Sequence, residues 1–118
     1  IKFIQGTSDN LKYKNNSFDV AVTNNFLIHL NKQNLKQTIN EIYRVTNKYI
    51  WCFEYYSDSR KKINYRGNVN IMWKDNFKSY FSKKKFKLIK SIKIPYITKE
   101  NKNNIDEMFL LKVIKHNV

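Results

Sequence analysis

Residues 18–53 narrow the folds open to this chain more than any other stretch. Phe18-Asp19-Val20-Ala21-Val22 is a nearly continuous apolar run, as expected of a strand covered on both faces. From Asn34 to Thr46, Leu35, Ile39, Ile42, Tyr43 and Val45 or Thr46 recur at the spacing of an amphipathic helix. Asn31 or Asn34 can cap its start and Asn47 can stop it. Tyr49-Ile50-Trp51-Cys52-Phe53 is a second apolar strand, running into Glu54-Tyr55-Tyr56. Strand, crossover helix, strand is a βαβ unit, right-handed and parallel in nearly all cases. One helix is too short a link for anything but a neighbouring crossover.

The flanks are more polar. Ile1 to Gln5 reads as a short strand, Gly6 to Asn10 as the loop after it, and Phe26 to Leu30 as a single helical turn. Ser57 to Asn70 reads as polar and irregular, and Asp75 to Phe81 as a short helix presenting Phe77, Tyr80 and Phe81. Phe86 to Ile94 alternates, with Phe86, Leu88, Ile92 and Ile94 on one side, Lys85, Lys87 and Lys93 on the other, and Pro95 as its end. A polar loop from Thr98 to Asp106 leads to a return strand, Met108 to Ile114, expected to pair antiparallel with it. The fold class is therefore α/β: a parallel βαβ unit followed by a C-terminal antiparallel strand pair, in one domain without internal repeats.

Charge is the feature most open to misreading. The 118 residues carry a formal +14, from 23 Lys and Arg against 9 Asp and Glu. Twenty of the 23 are Lys, and Lys, Asn and Ile together fill 51 positions. These residues have A/T-rich codons, so genome composition accounts for much of the charge. Arg, the better bidentate partner of phosphate and bases, is scarce, which makes nucleic acid the less favoured partner. A small basic nucleic-acid-binding module stays open as the alternative. Apolar residues make up 42% and aromatics 15%, ample for a packed core. No apolar run reaches the ~18 residues of a membrane span. Cys52 is the only cysteine, so no internal disulfide can form and the cytoplasm is the default compartment. No His, Cys, Asp and Glu spacing suits a metal, and no nucleophile elbow or phosphate loop is present. The chain opens inside a strand-like run without a methionine, as expected of the C-terminal portion of a longer domain.

In open α/β sheets ligands bind beyond the carboxyl ends of the strands. Three such ends converge here: Gly6 to Asn10, Thr23 to His29, and Glu54 to Tyr56. His29 can serve as a general base or pack at the foot of the crossover. Glu54 can orient an acceptor or cap neighbouring backbone. Tyr55 and Tyr56 can stack on a substrate or line a rim. Tyr65 and Arg66 can clamp an anion or lie in a solvated loop. Glu41 and Arg44 read as a structural pair one helical turn apart, Lys83 to Lys85 as a solvated turn, and Cys52 as buried and inert.

Four stretches together carry a resemblance: Phe3-Ile4-Gln5-Gly6, Ser17-Phe18-Asp19-Val20, Leu27-Ile28-His29-Leu30 and Glu41-Ile42-Tyr43-Arg44-Val45. In this order the chain resembles class I methyltransferases that use S-adenosylmethionine, over about Ile1 to Phe53. Glu54-Tyr55-Tyr56 with Tyr65-Arg66-Gly67 is similar to methylases associated with pseudaminic acid biosynthesis. The resemblance implies a partial Rossmann-like methyltransferase sheet and S-adenosylmethionine as cofactor. It implies a small-molecule acceptor, a sugar nucleotide or other surface-glycan precursor. It places Gly6, Thr7, Ser8 and Asp9 at the adenine, with Thr7 where the family often has an acid. Thr23, Asn24, Asn25 and Phe26 fall beside the methionine end, His29 and Glu54 at the chemistry, and Tyr55, Tyr56, Tyr65 and Arg66 at the acceptor. The family's glycine-rich loop and ribose-binding acid are expected upstream of Ile1. A remnant without activity is the further alternative.

Overall fold

A computed structural model describes residues 2–65, 70–97 and 104–115. Four strands form one sheet in the order β1-β2-β6-β5. Strand β1 (Phe18–Asn24) runs parallel to β2 (Thr46–Tyr55), with Val20 opposite Tyr49 and Thr23 opposite Cys52. Helix α1 (Lys32–Val45) makes the crossover between them. Strand β6 (Asn104–Val113) is antiparallel to both β2 and β5 (Phe86–Tyr96). Beside this sheet, β3 (Lys61–Tyr65) and β4 (Asn70–Lys74) form a two-stranded antiparallel pair. Single 3-10 turns occupy Leu27–His29 and Phe77–Tyr80.

The helix starts where its cap dictates. The Asn31 side chain accepts from the Asn34 backbone N–H at 2.8 Å, satisfying one of the orphan donors of the first turn. Leu35, Thr38, Ile39, Ile42 and Val45 face the sheet and are buried. Ile50, Cys52, Phe109 and Leu111 receive them, with Phe77, Phe81 and Phe86 closing the core. Phe81 meets Phe86 and Phe109 edge-on at centroid distances of 5.1 and 5.7 Å, the arrangement aromatic quadrupoles favour.

Several sequence expectations need correction. Helix α1 ends at Val45 and Thr46 turns extended at once, so Asn47 is not its stop. Lys2 to Gln5 is not a strand, because no neighbour supplies the ladder that a strand requires; Phe3 lies 91% exposed. Strand β1 is covered on one face only. Thr23 is buried and Ala21 half-buried, whereas Phe18, Val20 and Val22 are exposed, as are Tyr49 and Trp51 of β2. The stretch read as irregular, Ser57 to Asn70, holds β3 and the first residue of β4, whose pairing their sequences conceal. Pro95 does not end β5, which runs on to Tyr96; an edge strand tolerates a residue without an N–H. Strand β6 starts at Asn104, so Asn104 to Asp106 belong to the sheet.

The core and the open face respond differently to truncation. Phe109→Ala removes a fully buried ring and is expected to lower unfolding free energy by about 3–5 kcal/mol in urea titrations. Val22→Ala, at a site 63% exposed, is expected to change it by about 0.5 kcal/mol or less.

Candidate functional site

Glu54 sits at the carboxyl end of β2 and is buried, with 1% of its surface exposed. Its Oε2 accepts from the Thr23 hydroxyl at 2.8 Å, and its Oε1 accepts from the backbone N–H groups of Phe26 and Ile28 at 3.0 and 3.3 Å. One carboxylate thus ties the ends of β1 and β2 together and caps the 3-10 turn that carries His29. Asn25 turns the chain off β1 with φ 50°, a left-handed conformation that Asn tolerates better than most residues. Its N–H donates to the Phe53 carbonyl at 2.8 Å. These bonds realise the capping reading of Glu54. Burial pushes its carboxyl up to about 7, against the pull of the Thr23 hydroxyl and the turn's N–H groups.

Three cavities open around this joint. One of about 270 Å³ is lined by Val22, Thr23, Asn24, Trp51 and Phe53, on the open sheet face. A second, of about 610 Å³, lies against Gly6, Thr7, Ser8 and Phe26. A third, of about 330 Å³, is lined by Asn25, His29, Tyr55, Met72, Tyr96 and Asp106. The strand ends singled out in the sequence therefore do adjoin cavities. Asn24 has no side-chain partner among the described residues, whereas the Thr23 hydroxyl is engaged by Glu54. A Cβ at Gly6 would meet nothing within 4 Å, so this end of the second cavity is open.

Not every expected residue reaches the site. Ser8 Oγ is bonded to Thr38 Oγ1 at 2.8 Å, which pins the Gly6 to Asn10 loop to α1. Asp9 is exposed and only its carbonyl is used, weakly, by Gln37 at 3.4 Å. Tyr55 lines the third cavity. Tyr56 does not: its hydroxyl bonds Asp58 and its ring lies under Lys93 and Lys78, at 4.3 and 5.3 Å. The Tyr65 side chain and Arg66 lie outside the described residues. Cys52 is buried and inert as expected, its thiol pushed up to about 12 by burial.

Glu41 and Arg44 do more than pair. Arg44 donates to the carbonyls of Tyr13 and Leu11 at 2.6 and 2.7 Å while Glu41 accepts from the Leu11 N–H at 3.0 Å. Together they hold the segment that leads into β1. The Arg44 guanidinium keeps the Glu41 carboxyl below its ordinary value.

Asp106, Tyr96 and Met72 were invisible as site residues in the sequence. Asp106 reads as loop, yet β6 places it directly opposite Tyr55. The one available signal was Pro95-Tyr96 at the end of a strand. Arg60 supports the same corner from behind, donating to Asp75 at 3.1 Å and to the Leu30 carbonyl at 2.8 Å.

Comparison with known proteins agrees with this geometry. Residues 1–52 match the family described as a methyltransferase domain. No curated protein matches the chain. Among solved structures, a SAM-dependent methyltransferase from Methanosarcina mazei superposes with a TM-score of 0.75 at 13% identity, covering 91% of this chain and 64% of that one. A protein from Pyrococcus horikoshii OT3 gives 0.69 at 13% identity, covering 97% and 60%. The MccD protein gives 0.59 at 12% identity, covering 92% and 66%. The chain thus has the fold of class I methyltransferases and spans less than two thirds of the length of the first two structures. No described helix is long and apolar enough to cross a membrane.

The buried Glu54 makes stability pH-dependent. In the fold its carboxyl titrates near 7, against an ordinary value of 4.5. Between those values the folded chain binds more protons than the unfolded one, so stability falls as pH rises from about 4.5 to 7 and levels above it. The fall is on the order of 3 kcal/mol. Glu54→Gln cannot ionise, and urea titrations across this range are expected to show a flatter profile.

Proposed function

We propose that this chain forms the C-terminal, acceptor-side portion of a single S-adenosylmethionine-dependent methyltransferase domain. The observation that carries this reading is the parallel β1–β2 unit, with Asn24 to Phe26 and Glu54 to Tyr55 at its carboxyl ends, in a chain whose first 52 residues match a methyltransferase family. The cofactor supplies a methyl group already activated for transfer, so the protein's task is alignment and exclusion of water. Gly6, Thr7, Ser8 and Phe26 hold the adenine side, and Asn24 the amino-acid end. Glu54 is a positioning residue that fixes the Asn25 to His29 turn. His29, exposed at the mouth of the third cavity, takes the proton released by the acceptor.

The acceptor in this reading is a sugar or surface-glycan precursor. The Glu54-Tyr55-Tyr56 stretch with Tyr65-Arg66-Gly67 supports it by resemblance, and the third cavity supports it by a lining that includes Tyr55, Tyr96 and the polar Asn25 and Asp106. A cytoplasmic location goes with the same reading. The glycine-rich loop that lets backbone approach the cofactor and the acid that holds its ribose, both implied by the resemblance, are not among the described residues, so in this reading the 118-residue chain alone binds the cofactor weakly and turns over nothing.

Calorimetry tests this directly. S-adenosylmethionine is expected to bind the chain extended upstream far more tightly than the 118 residues alone. Asn24→Ala in the extended protein is expected to weaken binding about tenfold, the loss of one or two buried hydrogen bonds. His29→Gln is expected to lower turnover about a hundredfold with cofactor affinity unchanged. Micromolar binding by the 118 residues alone would show that the cofactor site is misplaced.

A further inference from the structure

We propose that the third cavity binds its small molecule through an ammonium group, with the Asp106 carboxylate as counter-ion and the Tyr55 and Tyr96 rings beside it. The inference rests on the reading of this cavity as the acceptor side of a methyltransferase, and it adds the charge of the acceptor at that point.

Three observations carry it. The first is the sign of the lining. The chain has 23 Lys and Arg, yet among the described residues that line this cavity none is Lys or Arg; the titratable side chains facing it are His29, Tyr55, Tyr96 and the Asp106 carboxylate. Lys74 Nζ lies 5.5 Å from the Tyr55 ring centre, but Lys74 is not part of the lining. A phosphate or carboxylate ligand would meet Asp106 with no Lys or Arg of the described lining to offset it.

The second is the state of Asp106 itself. The other sheltered carboxylates have partners: Glu41 has Arg44, Asp75 has Arg60, Glu107 has Lys78, and Glu54 has three neutral donors. Asp106 has only the Tyr96 hydroxyl, at 3.4 Å, and no cation among the described residues. Partial burial raises its carboxyl above the ordinary value, as desolvation without a cation should. An ammonium entering the cavity would supply the missing charge.

The third is aromatic. Tyr43 and Tyr56 elsewhere in the chain already carry lysine ammonium groups, at 3.9 and 4.3 Å from their ring centres. Tyr55 and Tyr96 present comparable rings to a cavity of about 330 Å³, room for a small organic cation.

The test uses three probes of one shape and different charge: 2-phenylethylamine, 2-phenylethanol and phenylacetate. Binding to the chain is followed by amide chemical shifts near Asn25, Tyr55 and Asp106, with no cofactor present. The amine is expected to bind at least about tenfold more tightly than the alcohol, as a charge-assisted contact implies, and phenylacetate not at all. Asp106→Asn is expected to erase the difference between amine and alcohol, while Asp58→Asn, at an exposed carboxylate, keeps it. Tighter binding of phenylacetate, equal binding of amine and alcohol, or no saturable shift from any probe would overturn the proposal. The ranking on the unaltered chain decides even if Asp106→Asn fails to fold. Calorimetry with S-adenosylmethionine on the upstream-extended protein separates the two readings. Amine preference without cofactor binding sinks the methyltransferase reading alone. Cofactor binding with phenylacetate preferred sinks the ammonium site alone.

Discussion

The Glu54 carboxylate is the joint on which the ligand-facing end of this molecule depends. Two parallel strands leave their loops at the same end of the sheet, and nothing in the ladder itself says where those loops go. Glu54 settles it by accepting from a hydroxyl on β1 and from two N–H groups of the turn that follows. The arrangement carries an electrostatic cost, because no cation accompanies the carboxylate. Its register partner on β6 is Glu107, and like charges directly opposite destabilise a strand pair. The two are managed differently. Glu107 is neutralised by Lys78 at 2.9 Å and accepts from Ser91 at 2.9 Å. Glu54 relies on neutral donors and holds its proton to a higher pH.

Buried and half-buried ion pairs do similar work at a distance. Arg44 with Glu41, Arg60 with Asp75 and Lys78 with Glu107 each fasten an irregular segment to regular structure. Such pairs add little net stability once desolvation is counted, but removing one partner leaves a stranded charge. Their contribution is to fix where the loops lie. That is what a site built from several strand ends requires.

The βαβ unit was legible because its signals are local and strong: an apolar run, a helical period and a second apolar run with an Asn cap before the helix. The parallel pairing followed from connection length alone. The strands β3 and β4 were not legible, because Lys61, Lys62, Asn64 and Lys74 mask a pair that packs on the core through Ile63 and Met72. The site was half legible. Local order places Asn24, Asn25, His29, Glu54 and Tyr55 after apolar strands, where ligands bind. Asp106 and Tyr96 join them only through antiparallel pairing, which sequence spacing does not reveal. Glu54 carried two readings in the sequence, and only the positions of the Phe26 and Ile28 N–H groups reveal the cap.

The two rims of the sheet are unlike. Along β5 the outer rim carries exposed Lys87 and Lys90 and, at Pro95, a position with no N–H to offer. Charged side chains and proline are what make a rim inert toward other chains. Strand β1 has no proline and a single exposed charge, Asp19: among the described residues it is bonded on one side only, and Phe18, Val20 and Val22 stand exposed along it. The two rims therefore differ in kind: Pro95 leaves a gap in the row of N–H groups along β5, whereas no proline interrupts β1, so a strand joining the sheet along its whole length meets an unbroken backbone only at β1.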